Sequence, residues 1–427
     1  MSTRNLIIIG GGAAGFFCAV NAARMHPGLQ VTILEKSSKL LSKVKVSGGG
    51  RCNVTHACFS IPEMVKNYPR GAAFLKRAFH HFFTKDTIQW FSERGVSLKT
   101  EADGRMFPES NSSETIIHCL LQEANKYKVE IRMNADVKHI DIVQVPASDV
   151  PKAIQTGKHT AKKFSIHQAN GITIDADYIC IACGGFSKAS GFDWLINTGH
   201  HIEVPVPSLF TFNIPGNSIT SLMGITLNDA IVKIAGTKLQ QQGPVLITHW
   251  GLSGPAILKL SAWGARVLAE KQYECTAIVN WLPAYHENSL KEKFQQLRFE
   301  IASQKMINRN PFALPARLWE YFLQQCAIPA ETRWADLPAK EQHKLVKMLC
   351  GQELKVKGKT TFKEEFVTAG GILCEEVDVN TMQSKLVPGL FFAGEILNID
   401  GVTGGFNFQN AWTTGWIAAK AIDSVSP

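Results

Sequence analysis

A glycine-rich turn between two apolar runs, near the start of the chain, restricts the fold more than any other feature. The run Leu6-Ile7-Ile8-Ile9 leads into Gly10-Gly11-Gly12-Ala13-Ala14-Gly15, and a second run, Val31-Thr32-Ile33-Leu34, ends at the carboxylate of Glu35. A strand, a glycine turn, a helix and a second strand in this order are typical of the first unit of a dinucleotide-binding domain. We therefore expect a Rossmann-type βαβ unit at this end of the sequence.

The three spaced glycines of this turn have different physical tasks. Gly10 permits the tight turn out of the strand, Gly12 lets the backbone approach a pyrophosphate, and Gly15 lets the helix pack against the sheet. The helix N-terminus supplies N–H groups and a positive dipole for the phosphates. Glu35 follows Gly15 by about 20 residues, where a carboxylate can accept the hydroxyl groups of an adenosine ribose. The pattern favours a dinucleotide site over a purely structural glycine turn.

Length and composition set broad limits on the rest of the chain. At 427 residues, two or three domains are expected. No apolar run approaches the ~18 residues of a membrane helix, and the first run is too short for a signal peptide, so we expect a cytoplasmic protein without a membrane partner. The ten cysteines lack the spacing of a disulfide framework. Cys180 and Cys183 lie in an apolar run that we interpret as a buried strand, so no metal site is expected.

The pattern of the chain changes twice, which predicts an inserted region. The first part predicts helices from Gly71 to Arg94 and from Ser113 to Lys126, and a buried parallel strand from Tyr178 to Cys183. Alternating strands typical of a barrel or sandwich follow, then charged helical segments. We predict a nucleotide-binding domain of residues 1–200 and 363–427, interrupted by a β domain of residues 201–285 and 350–362 and a helical domain of residues 286–349.

The C-terminal segment repeats the change from a strand to a glycine turn. The run Leu390-Phe391-Phe392-Ala393-Gly394-Glu395 ends in a carboxylate, and Gly404-Gly405-Phe406-Asn407 opens a helix. In a flavin-binding domain, Glu395 would face the ribityl side, and the helix N-terminus would direct N–H groups at the flavin pyrimidine edge. Gly184-Gly185 ends another predicted strand, where backbone can again approach a cofactor. Together with the N-terminal turn, this segment favours flavin over a plain glycine cap.

A third glycine motif, Ser47-Gly48-Gly49-Gly50-Arg51-Cys52-Asn53, permits close approach of the backbone to a cofactor ring or phosphate. Arg51 would neutralise a pyrophosphate, and Asn53 would hydrogen-bond a flavin edge. A thiol beside a flavin can act as an acid or a nucleophile, so Cys52 is a candidate catalytic residue. The alternative is a cysteine that simply packs in the core.

A histidine provides the second candidate for catalysis. It lies in Thr248-His249-Trp250-Gly251-Leu252-Ser253-Gly254-Pro255, which follows a predicted strand of the β domain. An imidazole can donate a proton to a substrate carbanion or enolate near neutral pH, which makes His249 a candidate proton donor. The alternative is a structural histidine.

Five motifs together resemble the BaiN/YhiN-like family of bacterial NAD(P)/FAD-dependent flavoproteins, which includes the aminoacetone oxidase family FAD-binding enzymes. They are Gly10-x-Gly12-x-x-Gly15, Ser47 to Asn53, Thr248 to Pro255, Thr368-Ala369-Gly370-Gly371 and Gly404-Gly405-Phe406-Asn407-Phe408-Gln409. The resemblance spans nearly the full chain, and the second and fifth motifs are its most specific parts. Two positions depart from the family pattern: His56 stands where an asparagine is common, and Asn398 stands where an aspartate is frequent.

The resemblance implies a bound FAD, with NADH or NADPH as a transient reductant. It also implies an α/β fold, in which a Rossmann-type FAD-binding domain of the two-dinucleotide-binding-domain type is interrupted by a β-barrel domain and a small helical domain. The residues expected to hold the cofactor are Gly10, Gly12, Ala13, Ala14, Gly15, Glu35, Lys36, Lys43, Ser47, Gly49, Gly50, Arg51, Cys52, Asn53, Gly184, Gly185, Gly394, Glu395, Gly404, Gly405, Phe406 and Asn407.

Members of this family differ in substrate, so several functions stay open. The reaction we favour takes hydride from NAD(P)H and reduces a conjugated C=C bond, with uracil in ribosomal RNA as the substrate and dihydrouridine as the product. The alternatives are a small-molecule enone reductase, an aminoacetone-type amine oxidase, and a non-catalytic flavin-bound protein that binds RNA or senses redox state. An NAD-dependent dehydrogenase would leave the C-terminal glycine turn unexplained.

Three groups of basic residues bear on the RNA hypothesis, in a chain whose net charge is +9. They are Lys36, Lys39, Lys43, Lys45 and Arg51; Lys66, Arg70, Lys76, Arg77 and Lys85; and Lys340, Lys344, Lys347, Lys355, Lys357 and Lys359. An anionic partner such as nucleic acid is one interpretation, and an ordinary solvated surface is the other.

Overall fold

The computed structural model divides into two compact units. Unit 1 comprises Met1–Pro207 and Lys363–Pro427, and unit 2 comprises Ser208–Phe362. The structure describes residues 4–144, 162–360 and 367–422, so the predicted boundary at residues 362 and 363 lies outside the described residues. The predicted helical domain lies in unit 2 together with the predicted β domain from residue 208 onward, whereas residues 201–207, which the sequence assigns to the β domain, belong to unit 1.

Strands and helices occur in both units. In chain order, the strands are β1 (Asn5–Ile9), β2 (Gln30–Glu35), β3 (Thr55–His56), β4 (Leu98–Thr100), β5 (Arg105–Pro108), β6 (Glu130–Met133), β7 (Val137–Gln144), β8 (Lys162–Gln168), β9 (Thr173–Ala176), β10 (Tyr178–Ile181), β11 (Ile202–Ser208), β12 (Thr211–Asn213), β13 (Thr226–Ile234), β14 (Gln240–Thr248), β15 (Gly251–Ser253), β16 (Glu274–Asn280), β17 (Gln352–Lys357), β18 (Lys359–Thr360), β19 (Val367–Ile372) and β20 (Leu390–Phe392). The α-helices are α1 (Ala13–Met25), α2 (Ser42–Gly50), α3 (Ile61–Val65), α4 (Ala72–Ala78), α5 (Thr84–Ser92), α6 (Ser113–Lys126), α7 (Asp193–Ile196), α8 (Pro255–Trp263), α9 (Ala265–Glu270), α10 (Glu287–Glu300), α11 (Ala316–Gln325), α12 (Ala339–Gly351) and α13 (Phe406–Ala421).

Unit 1 is built on a five-stranded sheet in the order β20-β10-β1-β2-β6. All four strand pairs are parallel. The apolar runs of β1 and β10 are buried, as expected for central strands of a parallel sheet that is covered on both faces. This architecture confirms the Rossmann-type α/β fold. Because the strands are parallel, the segments that follow β1, β2, β10 and β20 all leave the sheet at its carboxyl edge, where ligands of such folds bind.

Helices α1 and α13, from opposite ends of the sequence, pack against each other in unit 1. A Cβ atom on Gly415 of α13 would lie 2.8 Å from the backbone oxygen of Ala14, which shows how closely the helices approach. The Phe17 ring lies between those of Trp90 and Trp412, with centroids 4.6 and 5.1 Å away. Burial of these large rings holds the first and last segments of the chain in one core.

The strands of unit 2 form a seven-stranded antiparallel sheet in the order β17-β16-β13-β14-β15-β12-β18. The two edge strands, β17 and β18, are separated only by Gly358, which has a φ of +93°. The Gly358 N–H donates to the oxygen of Tyr273 (3.0 Å), and its carbonyl accepts from the N–H of Asn213 (3.2 Å). One continuous stretch therefore pairs with β16 on one side and β12 on the other, which closes the sheet into a barrel and removes its edges.

The helices α10, α11 and α12 share one hydrophobic core with the barrel. Trp319 of α11 stacks on Trp334, which in turn contacts Phe294 of α10. Trp281, at the end of β16, is also fully buried, and its indole N–H donates to Gln352 at the start of β17 (2.8 Å). Because barrel and helices bury the same aromatic cluster, they form one compact unit.

A membrane-spanning helix is not found in the described part of the chain, since no helix there combines the required length and apolarity.

Candidate cofactor site

The first glycine turn lies at the carboxyl edge of the sheet, directly after β1. Gly10 has a φ of +115°, and a Cβ atom there would lie 2.5 Å from the Cα of Cys183. A Cβ atom on Gly15 would lie 1.9 Å from the Gly10 carbonyl oxygen, so α1 can approach the turn only if residue 15 is glycine. A Cβ atom on Gly12 would meet no atom within 4 Å. Two of these glycines are therefore required by packing, whereas Gly12 borders open space.

The N-terminus of α1 is suited to an anion. Gly12 is the N-cap, no side chain caps the helix, and no acidic residue occurs in its first turn. The first N–H groups of a helix lack intrahelical partners, and they carry the positive end of the helix dipole. The backbone from Gly12 through Ala13 and Ala14 thus offers donors to a phosphate.

The carboxylate of Glu35, at the end of β2, fastens the glycine turn. Its Oε2 accepts the N–H of Gly11 (2.8 Å), and its Oε1 accepts both the N–H (2.9 Å) and the hydroxyl (2.8 Å) of Ser37. A carboxylate has about four acceptor positions, so one is left for a ligand hydroxyl. Glu35 thus positions the backbone in addition to any contact with an adenosine ribose.

Although the bounds of α2 extend to Gly50, the backbone from Ser47 to Gly49 is not helical, and the motif from Ser47 to Asn53 forms a loop with three successive left-handed glycines. The φ angles of Gly48, Gly49 and Gly50 are +59°, +69° and +83°, a region that L side chains rarely adopt. Cβ atoms on Gly49 and Gly50 would meet nothing within 4 Å, whereas one on Gly48 would lie 2.8 Å from the Phe107 ring. The loop therefore presents bare backbone on one side and packs on the other.

Arg51 holds this loop in place. Its Nη1 lies 2.6 Å from Glu101 Oε1, its Nε donates to the Gly48 carbonyl (3.3 Å), and its guanidinium lies 4.0 Å from the centroid of the Phe107 ring. The sequence predicts that Arg51 neutralises a pyrophosphate. In the structure the guanidinium is paired with a carboxylate whose residue lies 50 positions away, and the contact with a pyrophosphate stays a prediction.

Cys52 has the environment of a packing residue. Its side chain is 0% exposed. Burial raises the pKa of the Cys52 thiol to about 12, although a hydrogen bond with Ser47 opposes the shift. A thiol in this state is protonated at neutral pH and inaccessible to a substrate, whereas a nucleophilic cysteine needs a low pKa and access. These facts argue against the predicted catalytic role.

Asn53 joins the glycine loop to the C-terminal motif. In the orientation that satisfies every neighbouring group, its side-chain oxygen accepts the Gly405 N–H (2.9 Å) and its nitrogen donates to the Thr55 carbonyl (3.0 Å). The sequence predicts a contact of Asn53 with a flavin edge. In the structure the amide holds the turn that starts α13, and a contact with a flavin edge stays a prediction.

Two predicted residues pair with each other near the end of β20. Glu395 Oε2 lies 2.6 Å from Lys43 Nζ, and Glu395 Oε1 accepts the N–H of Thr368 (2.8 Å). A Cβ atom on Gly185 would lie 3.3 Å from Glu395 Oε1, so the glycine pair that follows β10 reaches the same point. Gly394 meets α1, since a Cβ atom on it would lie 2.8 Å from that of Ala14. The segments after β1, β10 and β20 thus converge.

The glycine pair Gly404-Gly405 opens α13 without a side-chain cap and without an acidic residue in its first turn. A Cβ atom on Gly405, whose φ is +92°, would lie 2.5 Å from the Thr55 oxygen. The Asn407 amide accepts the Gly401 N–H (2.8 Å) and donates to the Gly401 carbonyl (2.9 Å), which fixes the preceding turn. The structure therefore forms a second helix N-terminus of the kind predicted for the flavin.

Several residues that support this turn were not among the predicted site residues. His56 stacks on Phe406 and donates from Nδ1 to the Gly404 carbonyl (3.1 Å). The Tyr68 hydroxyl donates to the Phe406 carbonyl (2.7 Å). Arg70 binds Asp400 through two nitrogens, and Asp400 is 0% exposed. The local signals were the departure from the family at His56, the basic group that contains Arg70, and a lone aspartate in an apolar segment. None of them indicates its partner, which lies more than 300 positions away.

The donor set at this edge fits FAD. Unit 1 combines two helix N-termini that lack acidic residues with three glycines, Gly12, Gly49 and Gly50, whose Cβ positions are open. In the described part of the chain, the side-chain oxygen of Asn410 on α13 is buried without a donor, which a polar ligand would supply. Pyrophosphate and flavin both require donors, and this edge provides them.

Two predicted residues lie apart from these contacts. Lys36 is exposed, with its Nζ 5.6 Å from the centroid of the Phe186 ring. His249 belongs to unit 2, on the tight turn between β14 and β15. The turn is fixed by the Thr248 hydroxyl, which donates to the Gly251 carbonyl (3.1 Å) and accepts the Gly251 N–H (3.1 Å). The His249 ring is exposed and contacts the Trp250 ring edge-on at 4.3 Å.

Comparisons with known proteins extend this picture. The sequence profile described as HI0933-like protein Rossmann domain matches residues 4–421. The ribosomal RNA dihydrouridine synthase of Escherichia coli (strain K12) is 29% identical over 430 residues, covering 98% of this chain and 98% of that protein. The 3-dehydro-bile acid delta(4,6)-reductase of Clostridium scindens is 26% identical over 426 residues, covering 97% of this chain and 98% of that protein.

A solved structure shares the fold. The 3-ketosteroid delta1-dehydrogenase from Sterolibacterium denitrificans, in complex with 1,4-androstadiene-3,17-dione, aligns with a TM-score of 0.50 at 12% identity. The alignment covers 99% of this chain and 100% of that one. At this identity, the likeness concerns the fold alone.

Proposed function

Because this chain belongs to the HI0933-like family of FAD-binding oxidoreductases, we propose that it takes hydride from NAD(P)H and reduces a conjugated carbon–carbon double bond, with uracil in ribosomal RNA as the substrate. The product would be dihydrouridine, and a ribosomal substrate would place the enzyme in the cytoplasm. The family match confirms the BaiN/YhiN-like resemblance drawn from the five motifs.

The observation that carries the proposal is the convergence of glycine turns and helix N-termini at the carboxyl edge of the unit 1 sheet. The α1 N-terminus at Gly12 would bind the pyrophosphate, and the free acceptor position of Glu35 would receive an adenosine ribose hydroxyl. Glu395, held by Lys43 and the Thr368 N–H, would accept from the ribityl side. The α13 N-terminus, beginning at Gly405, would face the pyrimidine edge of the flavin.

The α13 N-terminus would favour the reduced cofactor because a helix dipole stabilises negative charge at that end. Bound FAD would supply the hydride transfer between NAD(P)H and the double bond. The reaction adds one hydride and one proton to the double bond and releases NAD(P)⁺. We assign the proton to His249, since its ring is exposed on a turn with a fixed backbone.

A second candidate is reduction of a small-molecule enone. It is supported by the similarity to the Clostridium scindens reductase, which covers both chains almost completely. The two candidates share the same chemistry, an electron-poor double bond, and differ only in what carries it. The similarity to the Escherichia coli enzyme, of equal extent, supports the RNA substrate.

Nucleoside mass spectrometry of ribosomal RNA tests the choice of substrate. RNA is compared from a strain that lacks this gene, the same strain with the gene restored, and the same strain carrying the Gly12→Ala variant. We expect dihydrouridine to be lost in the first, restored in the second and reduced in the third, because the variant binds FAD more weakly. An unchanged dihydrouridine content in the deletion strain would exclude the RNA substrate, and rapid turnover of a conjugated 3-keto steroid would then favour the enone.

A further inference from the structure

The positive charge of this chain is concentrated in unit 2. Residues Ser208–Phe362 contain 18 Lys and Arg against 11 Asp and Glu, which gives +7 of the +9 net charge of the whole chain. Unit 1, which holds the cofactor site, is therefore close to neutral although it is the larger unit. Charge of one sign on one part of a protein indicates an anionic partner for that part.

Within unit 2, four basic side chains form one stripe on α12. Lys340, His343, Lys344 and Lys347 are all exposed. Residues spaced by three, four and seven positions lie on the same face of an α-helix, and this stripe spans about 10 Å along the axis. The opposite face of α12 is buried through Leu345, Val346 and Leu349. We call the four residues the α12 stripe.

The lysines of the α12 stripe lack the partners that the other basic groups have. Among the described residues, no carboxylate lies within 4.0 Å of Lys340, Lys344 or Lys347. In the two basic groups of unit 1, by contrast, at least five cations pair with carboxylates, namely Lys43, Lys45, Arg51, Lys66 and Arg70. Like charges three and four positions apart also destabilise a helix, so folding stability does not explain the stripe.

An exposed aromatic ring lies where α10 adjoins the start of α12. Phe299, in the last turn of α10, is 85% exposed. The preceding residue, Arg298, donates from its guanidinium to the carbonyl of Leu337, two positions before α12 begins. An aromatic side chain that is almost fully exposed gains nothing from folding, whereas an unpaired nucleobase can stack on it.

We propose that the α12 stripe and Phe299 form a docking surface for RNA. The lysines contact phosphates, and the Phe299 ring stacks on a base in a single-stranded loop. Lysine and aromatic side chains together suit RNA, because phosphates need cations and unpaired bases need a flat apolar face. The inference rests on the proposed function in one respect, since it takes the docked RNA to be the one whose uracil is reduced.

Binding measurements on the FAD-loaded protein test the surface without turnover. The probe is a fluorescently labelled RNA hairpin with a uridine-rich loop, and its dissociation constant is measured at several salt concentrations. The variants are K340E/K344E/K347E, Phe299→Ala, and the control K233E/K238E/K271E. The control changes the same net charge at three exposed lysines elsewhere in unit 2.

For K340E/K344E/K347E we expect RNA binding to be at least about tenfold weaker. The slope of log K against log salt concentration should become shallower by about 2, as for three lost phosphate contacts. Phe299→Ala should weaken binding at least about fivefold with an unchanged salt slope, because stacking releases no counterions. The control should stay near wild type. Wild-type affinity in the stripe variant, an equal loss in the control, or no salt-dependent binding by the wild type would each overturn the proposal.

The docking surface and the proposed function fail in different ways. If the wild type binds RNA through the stripe but forms no dihydrouridine, the function is refuted and the surface stands. If dihydrouridine is formed and the stripe variant binds RNA like the wild type, the surface is refuted and the function stands. Bleaching of the flavin by NADH or NADPH should be the same in all variants, since none of them changes unit 1.

Discussion

Replacement of Gly12 by alanine separates folding from cofactor binding. Gly12 has a φ of −95° and a ψ of −170°, which alanine adopts without strain. A Cβ atom there would meet no protein atom within 4 Å. The substitution therefore adds a methyl group only to the open space in front of the α1 N-terminus, where the pyrophosphate is proposed to bind.

The expected changes in free energy differ greatly between the two properties. Loss of a glycine lowers the entropy of the unfolded chain and stabilises by about 0.4–1 kcal/mol, whereas alanine is a poorer N-cap by a similar amount. The free energy of unfolding of the apoprotein should thus stay within about 1 kcal/mol of the wild type. Each charged hydrogen bond that the methyl group prevents costs about 1.5–3 kcal/mol, so FAD should bind about 10- to 100-fold more weakly per bond lost.

The assay combines urea unfolding of the flavin-free protein with titration of FAD, followed by flavin fluorescence. Gly28→Ala is the matched control, because its Cβ atom would also meet nothing within 4 Å but it precedes β2, at the opposite edge of the sheet. We expect Gly28→Ala to bind FAD like the wild type. Wild-type FAD affinity in Gly12→Ala would refute the placement of the pyrophosphate, and unfolding of its apoprotein would refute the packing argument.

Three further predictions concern stability, thiol chemistry and proton transfer. Asp400→Asn should lower the free energy of unfolding by about 3 kcal/mol or more, because it removes the buried carboxylate that pairs with the guanidinium of Arg70. Glu130→Gln, which changes an exposed ion pair, should lower it by less than about 1 kcal/mol, and urea unfolding measures both. Since burial raises the pKa of Cys52 to about 12, this thiol of the native protein should resist alkylation by iodoacetamide from pH 7 to about 9. Peptide mass spectrometry measures the labelling, and fast labelling would contradict the burial of the thiol. His249→Gln should slow product formation about 100-fold or more while bleaching of the flavin by NAD(P)H keeps its rate, and equal slowing of both steps would exclude a proton donor.

Local signals predicted the architecture of unit 1 well. The apolar runs and glycines of the first unit define β1, the turn and α1 because each signal lies within a few residues of its structural consequence. The bounds predicted for a helix from Ser113 to Lys126 match those of α6, which has an N-cap serine and an amphipathic pattern. The helical stretch predicted from Gly71 to Arg94 is in fact two helices, and the break between them buries Phe79, Phe82 and Phe83 in the core.

Side-chain roles were harder to predict because partners lie far apart in sequence. Arg51 carries a charge that suits a pyrophosphate, and in the structure it forms an ion pair with Glu101 and contacts the Phe107 ring. No short-range sequence pattern indicates these two partners. Asn53 likewise accepts a hydrogen bond from the N–H of Gly405, which lies near the other end of the chain. Glycine positions were predictable since their reason is local backbone geometry, whereas polar side chains depend on tertiary contacts.

The most direct test of the central claim is the formation of dihydrouridine by the purified protein. The FAD-loaded protein is incubated without oxygen with ribosomal RNA that lacks dihydrouridine and with NADH or NADPH, and RNA nucleosides are then quantified by mass spectrometry. We expect dihydrouridine in proportion to the NAD(P)H consumed, and less of it with the Gly12→Ala variant at an FAD concentration that just saturates the wild type. Bleaching of the flavin by NAD(P)H without any dihydrouridine in the RNA would contradict it.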